Sequence, residues 1–217
     1  MNITQLYKTH RYKVPKIVHH LLFIAGWYYY GFSWEYLILS IVSAYVGFGV
    51  FAHHIAHHRL SHQKYEDTFI NKVLTLGVIF FTALTSPLNF SILHRHHHKF
   101  SDTPNDPHSP VQIKWWQVYL LMWKHVKINP VLGRDFMRSK FQIWIHENYV
   151  WLHFAFCALL ACISPTLVVF IVSPCVIYTF HVNGLVNWLG HRDGVPRNAP
   201  ELAWLTPLSW RHGDHHK

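Results

Sequence analysis

Acidic residues are scarce in this chain. There are ten Asp and Glu in 217 residues, and charged residues of both signs make up only 13%, against the ~25% usual for soluble domains. With so few carboxylates, and no Glu-x-x-His pair, a metal site of the soluble-bundle kind has nothing to be built from. Cysteine is equally sparse. Cys157, Cys162 and Cys175 all lie in apolar segments with no Cys-x-x-Cys spacing, which excludes a disulfide framework or zinc knuckle and predicts buried thiols. The first sixteen residues are polar and basic, and no small-residue cleavage site follows the first apolar run, so no cleavable signal peptide is expected.

What is present is apolar and aromatic: 51% hydrophobic and 17% aromatic residues, with ten Trp. This is the composition of a membrane protein, and the length suits one domain, 1–217. After a basic arm (Lys8, Arg11, Lys13, Lys16), residues 17–52 read as a first transmembrane hairpin turning at Gly31-Phe32-Ser33. Its second arm is long enough for a bilayer and continues into a histidine run. Residues 53–147 hold two histidine clusters and interfacial helices. Within them, residues 68–93 read as interfacial or re-entrant, because Pro87 breaks a spanning helix, and residues 114–126 read as an amphipathic surface stretch. Residues 148–182 read as a second hairpin, broken at Ser164-Pro165, and 183–217 carry the last cluster. All nineteen Lys and Arg avoid the two hairpin tips. By the positive-inside rule both termini and all the clusters face the cytoplasm. The +9 charge then suits anionic headgroups, a coenzyme A phosphate or an acidic redox partner, and not nucleic acid.

Twenty-one residues are histidine. His94, His97 and His98 stand at i, i+3 and i+4, one helix face; His212, His215 and His216 repeat the spacing. Upstream lie His53, His54, His57, His58 and His62, of which His54, His58 and His62 would share an α-helical face. Imidazole suits iron, zinc, copper and nickel, and three such clusters point to one polynuclear site. His10, His19, His20, His125, His146 and His153 sit in no cluster and read as ordinary core or surface residues.

The clusters resemble the histidine boxes of membrane fatty acid desaturases of the acyl-CoA (stearoyl-CoA, delta-9) type. His57-His58-Arg59-Leu60-Ser61-His62 resembles the first box. His94-Arg95-His96-His97-His98, followed by Asp106-Pro107-His108-Ser109-Pro110, resembles the second, and His212-Gly213-Asp214-His215-His216 the third. The similarity runs from about residue 45 to the end. It implies an all-α integral membrane fold with four transmembrane helices in two hairpins, an interfacial helix and a cytosolic di-metal site. It also implies two Fe2+ ions, O2 as co-substrate, a fatty acyl substrate (CoA- or lipid-linked) and a separate electron donor such as cytochrome b5 or ferredoxin. The implied ligands are His57 or His58, His62, His94, His97, His98, His212, His215 and His216. Asp102, Asp106 and His108 would orient ligand imidazoles, although Asp102 and Asp106 read equally well as ordinary turn acids.

Three departures qualify the resemblance. The first box has two readings, because the family's His-x-x-x-x-His spacing selects His57 whereas the following Arg59 selects His58. Asn183 to Gly190 lines up with the family's Asn-x-x-x-His-x-x-Gly element, which puts Asn187 where a histidine is usual. Asn187 and Asn183 are then weak carbonyl or water-mediated ligands, with His191 as the possible substitute. Finally, the sequence stops one residue after His216, which would leave one iron less well covered. The leading expectation is desaturation of an acyl chain. A related lipid hydroxylase or ketolase is the runner-up, and a catalytically silent metal-binding homologue the third reading.

Overall fold

The computed structural model describes residues 12–122, 126–206 and 209–216, and every regular element among them is helical. Lys8, His10, Arg11 and His125 lie outside these residues. Helix α1 (Lys13–Tyr30) stops at Gly31, whose φ of 75° suits only a residue without a Cβ. Ser33 then caps α2 (Trp34–Val46) by accepting the Glu35 N–H at 3.2 Å. This is the turn expected at Gly31-Phe32-Ser33 between the first two arms, with no Lys or Arg in it.

Beyond Val46 the helix does not end but widens into a π-helix, Gly47–His62. Sixteen residues is long for a form usually seen as a single turn at a functional site. Its i→i+5 bonding brings residues five apart together, so the α-helical expectation that His54, His58 and His62 share a face is replaced by a pairing of His57 with His62. Ser61 strengthens the pattern by donating its hydroxyl to the Ala56 carbonyl at 2.7 Å.

Helices α3 (Phe69–Thr82) and α4 (Pro87–Phe100) meet at 87°, with Ser86 capping α4 and Pro87 in its first turn. This is the break expected at Pro87, and it folds α4 back along the π-helix. Leu60 and Ala56 of the π-helix, Leu88 and Ile92 of α4 and Phe136 of the short α6 (Arg134–Met137) form one buried core that joins the first two histidine clusters. Of the expected amphipathic stretch, Trp115–Tyr119 (α5) is helical. Helix α7 begins at Lys140, ahead of the start at 148 expected for the second hairpin, and runs to Ile163. Residues Pro165–Leu167 (α8), a π-turn over Val168–Val172 and α9 (Ser173–Gly190) form the return arm. Cys157 and Cys175 are buried, but Cys162 is exposed near the end of α7, contrary to the expectation for all three.

Among the described residues two helices, Trp34–His62 and Pro165–Gly190, are long and apolar enough to cross a membrane, and the bent α3–α4 pair would make three. The expected four spans are thus supported only for the second arm of each hairpin. Lys13, Lys16, His19 and His20 dilute α1, and Lys140, His146, Glu147 and Asn148 dilute the first half of α7.

Helix α9 is the hub: α1, α2, the π-helix and α5 all pack on it. At Gly184 a Cβ would come 2.2 Å from the backbone oxygen of Tyr119. Backbone cannot yield as a side chain does, so Gly184→Ala should push α5 away and cost about 1–3 kcal/mol. Thermal unfolding in detergent checks this, with the melting temperature expected to fall by several degrees.

Candidate metal centre

Four elements deliver histidines to one place. His57 and His62 come from the π-helix, His94, His97 and His98 from α4, His191 from just past the end of α9, and His212, His215 and His216 from α10 (His212–His215) and its cap. Their ring nitrogens sort into two groups. His57, His62, His94, His98 and His215 form one, and His97, His191, His212 and His216 the other; within each, the ligating atoms all lie within 4.8 Å of one another. The 0, 3, 4 spacing explains the division. On α4, His94 and His98 share a face and point to the first group, while His97 points to the second. In the last cluster His215 joins the first group and its neighbours the second. The groups abut, with the His98 and His216 rings stacked 4.0 Å apart.

The spacing within the groups is that of ligands on an ion. His62 and His94 Nε2 are 2.8 Å apart. His191 Nε2 lies 3.1 Å from that of His97 and 2.7 Å from that of His212, which is 3.1 Å from His216 Nε2. Two imidazoles on one divalent ion, bound at about 2.0–2.1 Å and about 90° apart, place their nitrogens about 2.9 Å from each other.

Proton bookkeeping in the second group makes the case stronger. His97 Nδ1 donates to Asp106 Oδ2 at 2.9 Å, and His191 Nδ1 donates to Asp102 Oδ2 at 2.8 Å. Each neutral ring therefore carries its proton on the outer nitrogen. The two inner nitrogens are left as bare lone pairs 3.1 Å apart, an arrangement that repels unless a cation lies between them. Carboxylates behind metal-bound imidazoles serve this purpose generally, fixing tautomer and raising basicity. The acids are themselves held. Asp106 Oδ2 accepts the Asp102 N–H at 2.9 Å and Oδ1 the His108 N–H at 3.1 Å, and Ser109 Oγ donates to Asp102 Oδ1 at 2.6 Å. Asp102 takes a left-handed φ of 59° to do this, a region that Asp tolerates better than most residues.

The last cluster is kept neutral. Burial, then the neighbouring His191, holds His212 well below the ordinary imidazole range. Burial and the surrounding histidines push His215 down to about 3 and His216 to about 2. Neutral rings are the form that binds metal.

Not every expected residue converges. His58 lies with His53 and His57 at the edge of the first group rather than in it, so of the two readings of the first box the structure brings His57 inward. Asn183 and Asn187 line an adjoining cavity of about 330 Å³, with Asn183 Nδ2 donating to the Thr179 carbonyl at 2.7 Å. Buried His108 packs its ring 4.0 Å from that of His97.

The fatty acid desaturase family model matches residues 17–217. The chain belongs to the fatty acid desaturase family. It is 25% identical over 220 residues to an acyl-CoA 5-desaturase of Anemone leveillei, covering 92% of this chain and 68% of that one. It is 28% identical over 136 residues to the sn-1 stearoyl-lipid 9-desaturase of Synechocystis, covering 57% and 43%. To the delta(9)-fatty-acid desaturase fat-7 of Caenorhabditis elegans it is 25% identical over 218 residues, covering 91% and 62%.

Within this family the position of His191 changes the alignment of one element. The pattern Asn-x-x-x-His-x-x-Gly is satisfied without exception four residues further along, by Asn187, His191 and Gly194. In that register Asn187 is no substituted histidine. Gly194, with φ of 77°, is a glycine its backbone requires. Gly190 has its own reason to be glycine, because a Cβ there would lie 2.6 Å from the His212 ring. The signal was in the sequence, but the earlier Asn183 and Gly190 mimic it.

Proposed function

We propose that this chain is a fatty acyl desaturase that inserts a double bond into an acyl chain, CoA- or lipid-linked, using O2, two Fe2+ ions and electrons from a separate donor such as cytochrome b5 or ferredoxin. The observation that carries this reading is the pair of imidazole groups, five and four, with outer nitrogens of the second group held by Asp102 and Asp106. The proposed ligands are His57, His62, His94, His98 and His215 for one iron, and His97, His191, His212 and His216 for the other. Asn187 faces the same cavity and is assigned a water-mediated contact.

The irons, when bound and reduced, supply the O2-derived oxidant. The reaction takes one hydrogen from each of two adjacent methylenes, and O2 with two electrons and two protons leaves as two waters. The protein's own residues hold and shield. Neutral imidazoles leave the charge of the metals largely uncompensated, which keeps them electrophilic. The cavity reaches the site through His57, His94, His212 and His215; its wall carries polar groups such as Thr85, Asn89, Asn187 and Arg211 and an apolar set, Phe48, Leu84, Phe90, Leu93, Leu121 and Val186. The apolar set suits an alkyl chain, and the polar groups can fix its orientation. The Lys and Arg distribution supports a multi-pass arrangement in the lipid bilayer with termini and boxes on the cytoplasmic side.

Expression in a desaturase-deficient host, followed by lipid analysis, tests the reading. A new double bond is expected. A hydroxyl or keto product would replace it by the related oxygenase function, and unchanged lipids with metal bound would mean a silent homologue.

A further inference from the structure

Away from the boxes, two histidines that belong to no cluster along the chain meet in the protein interior. His19 of α1 and His153 of α7 are fully buried, with Nε2 atoms 2.7 Å apart. Cys157 follows His153 by one helical turn, so its thiol lies on the same face. Its Sγ is 3.7 Å from His153 Nε2 and 4.0 Å from His19 Nε2. The three donors come within 4.8 Å of one another.

The outer nitrogens are occupied, as they are in the main site. His153 Nδ1 faces the Ile79 carbonyl at 3.0 Å. A carbonyl only accepts, so that nitrogen carries the proton and Nε2 of the neutral ring is a lone pair. His19 Nδ1 faces Ser173 Oγ at 2.8 Å, and Ser173 donates its own hydrogen to the Val168 carbonyl at 2.9 Å. Oγ then accepts from Nδ1, and His19 Nε2 is a lone pair as well. Two lone pairs thus confront each other across 2.7 Å, with a thiol beside them. A proton shared there would leave a buried imidazolium, and among the described residues neither ring has a carboxylate among its contacts. A metal ion with Cys157 as thiolate meets both rings and brings its own compensating charge. The sulfur-to-nitrogen distances of 3.7 and 4.0 Å suit an ion, since nitrogen at about 2.0–2.1 Å and sulfur at about 2.3 Å from it, about 120° apart, are about 3.8 Å from each other. The 2.7 Å between the two nitrogens has to widen by about 0.6–0.9 Å for tetrahedral or trigonal binding.

We propose that His19, His153 and Cys157 form a third metal site, separate from the two histidine groups, for a soft or borderline d10 cation of the copper(I) or zinc class. Two imidazoles and a thiolate select such ions. The surroundings are dry: Ala83, Val168, Val172 and Val176 pack with Cys157. A complex whose ligand charge offsets the ion costs least in such a place. The ion would join α1 to α7 beside the start of α9, so its role is structural.

Elemental analysis of the full chain, purified in detergent without added metal chelator, tests this. Copper plus zinc is expected at about one equivalent per chain in addition to the iron, falling at least tenfold in both Cys157→Ser and His153→Asn while iron is unchanged. Loading the copper- and zinc-free chain with cobalt(II) should give a thiolate-to-cobalt absorption band that Cys157→Ser lacks. Equal metal content in wild type and both variants, with no thiolate band, would overturn the proposal. The cluster would then be a hydrogen-bonded relay, with the Ser173 hydroxyl turned toward His19. Because iron and the other metals are counted separately, failure here leaves the reading of the main site untouched.

Discussion

His191→Ala should purify with one metal fewer than wild type and lose at least ~100-fold in turnover, whereas Asn187→His should leave the metal count unchanged. The first expectation follows from position. His191 Nε2 is the meeting point of the second group, within 3.1 Å of both His97 and His212 Nε2. Removing it takes away a ligand and also strands Asp102, whose Oδ2 accepts from His191 Nδ1. Losing such supporting contacts alone costs metal sites about 10–100-fold in affinity, and losing the ligand adds to that. The second expectation follows from the register, since residue 187 already holds the asparagine of its element and the histidine place is filled. Iron per chain and product formed in microsomes give both readings. Retention of both metals in His191→Ala, together with a gain in Asn187→His, would return residue 187 to the ligand role.

The other large effect is expected at Arg95, the residue between His94 and His96. Its guanidinium uses every hydrogen it has. Nε donates to the Ser61 carbonyl at 2.6 Å, Nη1 to the Leu132 carbonyl and Asp135 Oδ1, both at 2.7 Å, and Nη2 to the Gln63 carbonyl at 2.7 Å and Asp135 Oδ2 at 2.9 Å. Ser61 and Gln63 flank His62, so this one side chain ties the backbone around a first-box histidine to the helix of the second box. Burial raises the Asp135 carboxyl, but the Arg95 hydrogen bonds, the Tyr65 and Phe136 backbone N–H groups and the Arg95 charge together hold it below the usual carboxylate range. It accepts the Tyr65 N–H at 2.7 Å. Arg95→Ala should cost about 3 kcal/mol, the low end for breaking a buried pair, because both partners keep some solvent contact. Arg95→Lys cannot reproduce the fork. Both variants should lower iron occupancy while leaving membrane insertion intact, and an unchanged iron content in Arg95→Ala would sink the idea that Arg95 positions His62.

Much of the site was legible because imidazole clusters are rare and their spacing obeys helix geometry. The 0, 3, 4 pattern of His94, His97 and His98 needed only the assumption of a helix. The break at Pro87 and the tip at Gly31 were legible for the same reason, since proline and glycine restrict the backbone locally. What sequence reading missed was whatever depended on an unusual backbone or on distant packing. His57 was left level with His58 because α-helical periodicity does not apply to a π-helix. His191 was kept only as a possible substitute for Asn187, because Asn183 to Gly190 offers an earlier match to the same pattern. His19 and His153 were set aside because 134 positions separate them, and only the packing of α1 against its neighbours brings them face to face.

The π-helix has a consequence for how the metal and the backbone depend on each other. A helix of this wider radius and length is not what its residues would choose in isolation, and relaxation to the narrower α form would swing His62 around the axis, away from His57. On the proposed reading, an ion held by both side chains would act as a clasp on the winding of the whole segment from Gly47 to His62. Loss of that ion would then be a conformational event, because rewinding would carry the first box out of register and reshape the adjoining cavity through Phe48 and Ala52, which lie on the same turns. Metal delivery and shaping of the cavity would be a single step.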